Sequence, residues 1–321
     1  MSDRVSARIS SVPKSLPRRA LASLVLWFDA WAVDPREGED PRRIDWARVV
    51  PFLLLHASCL LVLVVGWSWT AVVFAAGFYA LRMFAITAFY HRYFSHRAFQ
   101  TSRALQLCFA LLGATAVQRG PLWWAAHHRA HHRYSDAEGD VHSPDREGFW
   151  WSHVGWILAR VNFRTRTELI PDFARYPELR FLDRFDSLVP LLMIPAIFGL
   201  GEGLAAFGLG GGGFQLLVWG FSISTIALYH LTFCVNSVAH RIGSRRFDTN
   251  DSSRNNLVLS LFTLGEGWHN NHHHYPNSAR QGFYWWEVDA SYYALRALAS
   301  VGLIWGLRPV PARVLEHGRR R

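Results

Sequence analysis

Four apolar runs dominate this chain, at residues 49–66, 68–90, 188–207 and 214–236, and they come in two pairs. About 20 apolar residues carry a helix across the hydrocarbon of a bilayer, so each run is long enough to cross once. Trp67 alone separates the first pair, and the glycine-rich, uncharged stretch 208–213 separates the second. Connections that short leave only antiparallel neighbours. A large soluble core would bury helices of this composition too, but four such runs among 321 residues do not fit one. The pattern predicts an all-α integral membrane fold with four transmembrane helices in two hairpins.

Charge then orients the hairpins. Neither turn carries Lys or Arg, whereas the amino-terminal arm, the segment 91–187 and the tail are rich in arginine. By the positive-inside rule both termini and the central segment face the cytoplasm. The expected divisions are a basic cytoplasmic arm at 1–48, a functional unit at 49–290 with a cytoplasmic helical cap at 91–187 and 237–290, and a cytoplasmic or interfacial helix with an Arg-rich tail at 291–321. The net charge of +10 is spread over these loops. That spread suits anionic lipid headgroups rather than nucleic acid. One lysine, Lys14, stands beside 33 arginines, a bias expected of a GC-rich bacterial genome and hence of the bacterial cytoplasmic membrane.

Shorter apolar segments do not cross. Residues 149–161 are Trp-rich and flanked by charge, which predicts a helix lying in the interface plane. Asp289 and Arg296 interrupt 285–307, which is expected on the cytoplasmic side or at the interface. Residues 101–117 are expected to tuck partly into the membrane. Arg18-Arg19 and the apolar run ending at Ala32 resemble a secretion signal, but Asp29 breaks the run, and an interfacial segment is the better reading. Cys59, Cys108 and Cys234 lie in apolar surroundings and form no disulfide or metal motif.

Histidine carries the chemistry. Three clusters, His91-Arg-Tyr-Phe-Ser-His96, His128-Arg-Ala-His131-His132 and His269-Asn-Asn-His272-His273, sit beside apolar segments, and Asn236-Ser-Val-Ala-His240 adds a fourth group. Residues three and four apart share a helix face. His128, His131 and His132 therefore converge, as do His269, His272 and His273. His91 and His96 are five apart and share no face of a straight α-helix, so the second span is expected to end near His91 and bend before His96. Nine neutral imidazoles without a thiolate suit iron, copper, nickel or zinc, and nine ligands suffice for two ions. His56, His153, His230 and His317 read as interfacial anchors, and His127 and His274 point away from the cluster faces.

These motifs, in this order, resemble the membrane acyl-CoA desaturases of the stearoyl-CoA (delta-9) type. The likeness extends through His128-Arg-Ala-His-His-Arg-Tyr-Ser-Asp136, Asp140, His142, Gly148-Phe-Trp-Trp-Ser-His-Val-Gly-Trp156, Ser253-Arg-Asn-Asn256 and Gly265-Glu-Gly-Trp-His-Asn-Asn-His-His273, covering roughly residues 50–290. The resemblance implies a centre of two Fe2+ ions held by His91, His96, His128, His131, His132, His240, His269, His272 and His273. It also implies an asparagine, Asn236, that reaches a metal through water. Gln118, Trp124 and Thr232 match residues at the bend of the acyl tunnel. Ala126-His127 departs from the vertebrate enzymes, which carry charged residues there that help hold coenzyme A.

The implied activity is O2-dependent insertion of a cis double bond at the ninth carbon of a saturated fatty acyl-CoA. Methylene hydrogens are not acidic, so side-chain acids and bases cannot remove them, and an oxidising cofactor must. Zinc is redox-inert and would leave the site dead. Asp136, Asp140, Asp251 and Glu266 are candidates to orient imidazoles through their second nitrogens. No haem or flavin-binding motif is evident, so electrons are expected from a separate ferredoxin, rubredoxin or cytochrome b5-like carrier. A desaturase of phospholipid-bound acyl chains shares every motif, while a membrane di-iron hydroxylase is disfavoured by the wide first box. A non-catalytic lipid-binding protein would have no need of all nine histidines.

Overall fold

The computed structural model describes residues 25–32 and 38–320. The rest of the basic arm, with Lys14 and the Arg18-Arg19 segment, lies outside the described residues.

Among the described residues, four helices are long and apolar enough to cross a membrane: Arg48–Val65, Trp69–Ser95, Leu188–Ala206 and Gly213–Ser237. They pair as two hairpins. Gly66, at φ +64°, makes the first turn, and the Ser68 hydroxyl accepts from the Ala71 N–H to start the second span. At the second turn Gly201 packs so close to Gly213 that a Cβ would fall 2.7 Å from the Gly213 Cα, which keeps both positions small. Gln215 ties the hairpins together at this end, accepting from Ser68 Oγ and donating to the Val65 carbonyl.

At the other end the chain builds a helical cap. Arg103–Ala114, Pro121–Tyr134, Pro177–Arg184, Leu257–Phe262, His269–His274 and Ala290–Ser300 are its main helices. Pro121 opens its helix where a missing N–H costs nothing. A buried aromatic core fills the junction between the second span and the cap. Phe89 stacks on Phe109 at 3.7 Å, and Tyr93, Phe94, Phe99 and Phe173 pack around them. Asp29 pairs with Arg184, and the Trp31 indole donates to Asp183, so this short piece of the arm is pinned to the cap.

One local expectation needs correction. The second span does not end near His91: it runs to Ser95, and from Ala85 it winds as a π-helix. Residues five apart share a face in that geometry, and the His96 N–H donates to the His91 carbonyl. Residues 149–158 form one helix, π-helical at Trp151–Gly155, that breaks at Ala159 before a 3-10 turn at Arg160–Phe163. Residues 285–307 break after Ser300, and Ile304–Trp305 pairs antiparallel with Gln100–Thr101. That two-stranded clip is unforeseen in an otherwise helical fold.

Candidate metal centre and adjoining cavity

All four histidine groups meet at the capped end of the bundle, in two sets. His91, His96, His128, His132 and His272 form one, and His131, His240, His269 and His273 the other; within each, one nitrogen of every ring lies within 4.8 Å of the rest. The second span's π-helix delivers His91 and His96. One face of Pro121–Tyr134 supplies His128 and His132 to the first set and His131 to the second. His269–His274 divides likewise, and His240 follows the end of the fourth span.

Close approaches within the sets fit ions better than hydrogen bonds. Nε2 of His272 lies 3.0 Å from that of His91 and 2.8 Å from that of His132, and the His96–His128 and His240–His269 pairs stand at 2.8 and 3.0 Å. Two imidazoles on one ion, each at about 2.1 Å and at right angles, stand about 3.0 Å apart. A neutral imidazole nitrogen offers one proton or one lone pair. One central cation would satisfy all five lone pairs of the first set at once. Nε2 of His273 is buried with no hydrogen-bond partner, as a waiting ligand would be.

Electrostatics favour the ligand form. Burial, then mutual repulsion among the rings, holds His96, His128, His132, His269 and His272 well below the ordinary imidazole range. His273 is lowered to about 4 by burial, against the pull of Asp251. Neutral imidazole at neutral pH is the form that binds metal.

All four acidic candidates lie on second nitrogens. Nδ1 of His131 meets Asp140 at 3.0 Å, that of His240 meets Asp136 at 2.9 Å and that of His273 meets Asp251 at 2.7 Å, while His91 contacts Glu266. Burial alone would raise these carboxyls. Their histidine partners outweigh it and hold all four below the usual carboxylate range. The sets differ here: three of four imidazoles in the second set lean on a carboxylate, but only His91 in the first. Glu266 is itself anchored by Arg92, which also pairs with Asp289 at 2.9 Å, and Gln281 bridges Glu266 and His91. This buried network was not foreseen, since Arg92 reads in sequence as part of a histidine box.

His142 was also missed as a site residue. It groups with His131 and Asp140, and burial lowers it to about 3. Its spacing from Asp140, Asp-x-His across a turn, was the available signal. His127 and His274 stay out of both sets: His127 packs against Trp123 and Trp156, and His274 stacks on Phe247.

Beside the first set lies a cavity of about 390 Å³, walled by apolar side chains from the first, third and fourth spans and by His128, His142 and Asn236. Its size falls among small-molecule sites. Gln118, Trp124 and Thr232 all line it and bond to one another: Gln118 Nε2 donates to Thr232 at 3.0 Å, and Trp124 Nε1 donates to Gln118 at 3.3 Å. Trp124 also stacks on His128 at 5.2 Å, joining cavity to cluster. Val117 and Arg119, on either side of Gln118, have φ of +60° and +69°. A β-branched residue in that region is an outlier, costing about 1–3 kcal/mol and kept only where its surroundings force it.

The sequence model for fatty acid desaturases matches residues 20–304. The chain belongs to the fatty acid desaturase family. It is 37% identical over 295 residues to an sn-2 palmitoyl-lipid 9-desaturase of Nostoc, covering 89% of this chain and 98% of that one. It is 35% identical to an icosanoyl-CoA 5-desaturase of Limnanthes douglasii, covering 82% and 72%. A delta-9 acyl-lipid desaturase of Arabidopsis thaliana is 37% identical, with 87% of each chain covered. Members of this family are integral membrane di-iron oxidoreductases, and the four spans and paired histidine sets match that architecture.

Proposed function

We propose that this desaturase inserts a cis double bond at the ninth carbon of a saturated fatty acyl-CoA. The carrying observation is an apolar cavity walled in part by His128, against two sets of converging imidazoles. In this reading His91, His96, His128, His132 and His272 hold one iron, and His131, His240, His269 and His273 the other, with Asn236 reaching a metal through water. Two Fe2+ ions supply the O2-dependent oxidising power that side chains lack. Two substrate hydrogens, two external electrons and two protons convert O2 to two waters.

The chain's own residues do the rest. The carboxylates behind His91, His131, His240 and His273 fix each ring's tautomer and direction. The cavity excludes water and aligns one methylene pair with the centre. The bonded trio Gln118, Trp124 and Thr232 is the bend that favours a cis product.

Electrons come from a separate ferredoxin, rubredoxin or cytochrome b5-like protein, whose acidic surface suits the Arg-rich face. We take residues 49–290 as the desaturase domain, seated in a bacterial inner membrane with its centre on the cytoplasmic side. A second reading, desaturation of acyl chains esterified in lipid, draws support from the Nostoc and Arabidopsis relatives and from Ala126-His127.

Expression in a desaturase-deficient host, with mass-spectrometric mapping of new double bonds, tests the reaction. An unaltered lipid profile with iron and reductant present refutes it. Purified protein given labelled acyl-CoA without phospholipid tests the carrier, and no turnover there favours the lipid reading.

A further inference from the structure

Arg82 is a guanidinium with no exposed surface in the middle of the second span, and its five hydrogen bonds all go to neutral groups. Ionisable side chains at such depth are expensive and mark function more often than scaffolding. Nη1 donates to Thr225 Oγ1 at 2.7 Å and to the Thr115 carbonyl at 3.2 Å. Nη2 donates to Ser224 Oγ at 2.6 Å and to the Gly220 carbonyl at 3.4 Å, and Nε to the Phe78 carbonyl at 3.3 Å. One side chain thus grips the fourth span at its π-helical stretch Val218–Ile223 and, across from it, the turn that follows Arg103–Ala114.

That turn carries Gln118 between the two residues held at positive φ. A second tether meets it from the fourth span: the Tyr229 hydroxyl donates to the Val117 carbonyl. Arg82 and Tyr229 therefore hold two carbonyls of residues 115–117 from two different spans. A strained turn persists only when such contacts over-determine it.

We propose that Arg82 and Tyr229 form a clamp that fixes the 115–119 turn and so sets the position of the double bond. Arg82 is a positioning residue: it does not line the cavity, and it acts through the backbone that carries Gln118. The inference rests on the desaturase reading of the cavity. A slack turn lets Gln118 shift, the bend moves along the acyl chain, and neighbouring methylene pairs reach the centre. A merely structural arginine would lower the amount of folded enzyme without redistributing its products.

The test expresses wild type, Arg82→Met, Arg82→Lys and Tyr229→Phe in a desaturase-deficient host and maps double bonds by mass spectrometry, with iron per purified chain measured alongside. Tyr229→Phe keeps the ring and removes only the hydroxyl that tethers Val117. Wild type should give one regioisomer. Arg82→Met and Tyr229→Phe should raise the share of off-position isomers by about tenfold, as a modest loss of positional preference does. Arg82→Lys, still cationic but unable to reach both sides, should lie between. If Arg82→Met does not accumulate, Tyr229→Phe decides. A wild-type isomer pattern in the variants, with yield falling only in step with iron content, overturns the clamp. A wild type that makes no double bond overturns the desaturase reading and the clamp with it.

Discussion

Asp251→Ala should loosen one metal position and spare the other. The Asp251 carboxylate accepts from His273 Nδ1 at 2.7 Å and is held ionised: burial opposes this, but the hydrogen bonds from His273 and Ser253 prevail. Losing such a partner behind a ligating imidazole typically costs 10–100-fold in metal affinity, or about 1.4–2.8 kcal/mol. His273 belongs only to the second set, and the first set makes no contact with Asp251. Titrating purified protein with a chelator and counting iron per chain by mass spectrometry should therefore give two steps in the variant. About one iron should leave at 10–100-fold lower chelator than in wild type, and the other should follow the wild-type curve. Asp251 also accepts from Thr249 and Ser253, so Asp251→Asn, which keeps an acceptor oxygen, controls for disorder of that loop. A single wild-type step, or loss of both irons together, would refute the division into two independent sets.

His269→Ala, which removes a ligand from the second set, should abolish turnover and lower iron below two per chain; unchanged turnover with two irons per chain would refute its assignment as a ligand. Zinc-loaded protein should retain two metals per chain by elemental analysis yet form no double bond. Arg92→Met removes the guanidinium shared by the buried Glu266 and Asp289, a change that costs about 3–5 kcal/mol, so thermal unfolding in detergent should shift sharply downward.

Much of this architecture was legible in the chain because membranes simplify the problem. The four spans announce themselves by length, since four such runs in 321 residues do not fit a soluble core, and His128/His131/His132 converge because helical spacing alone brings them together. The acidic partners were readable too, for a buried imidazole needs something at its second nitrogen. The first box misled: H-x4-H reads as a broken α-helix, and no local signal distinguishes a bend from the wider π-helical turn that keeps His91 and His96 together. The Gln100–Trp305 strand pairing spans two hundred residues and has no local trace. Arg82 looks in sequence like a polar interruption of an apolar run and Arg92 like part of a histidine box, and their meaning depends on neighbours contributed by distant segments.

His56 on the first span, His230 on the fourth and His153 at the Trp151–Gly155 turn join ring to ring at 3.2 and 3.0 Å. The chain of rings ends on the Phe52 carbonyl at one side and, through Ser237, on the Phe233 carbonyl at the other. A path that stops at backbone carbonyls relays no protons. It works instead as a strut, tying the Trp151–Gly155 turn to both the first and the fourth span, so that the three segments shift only as one.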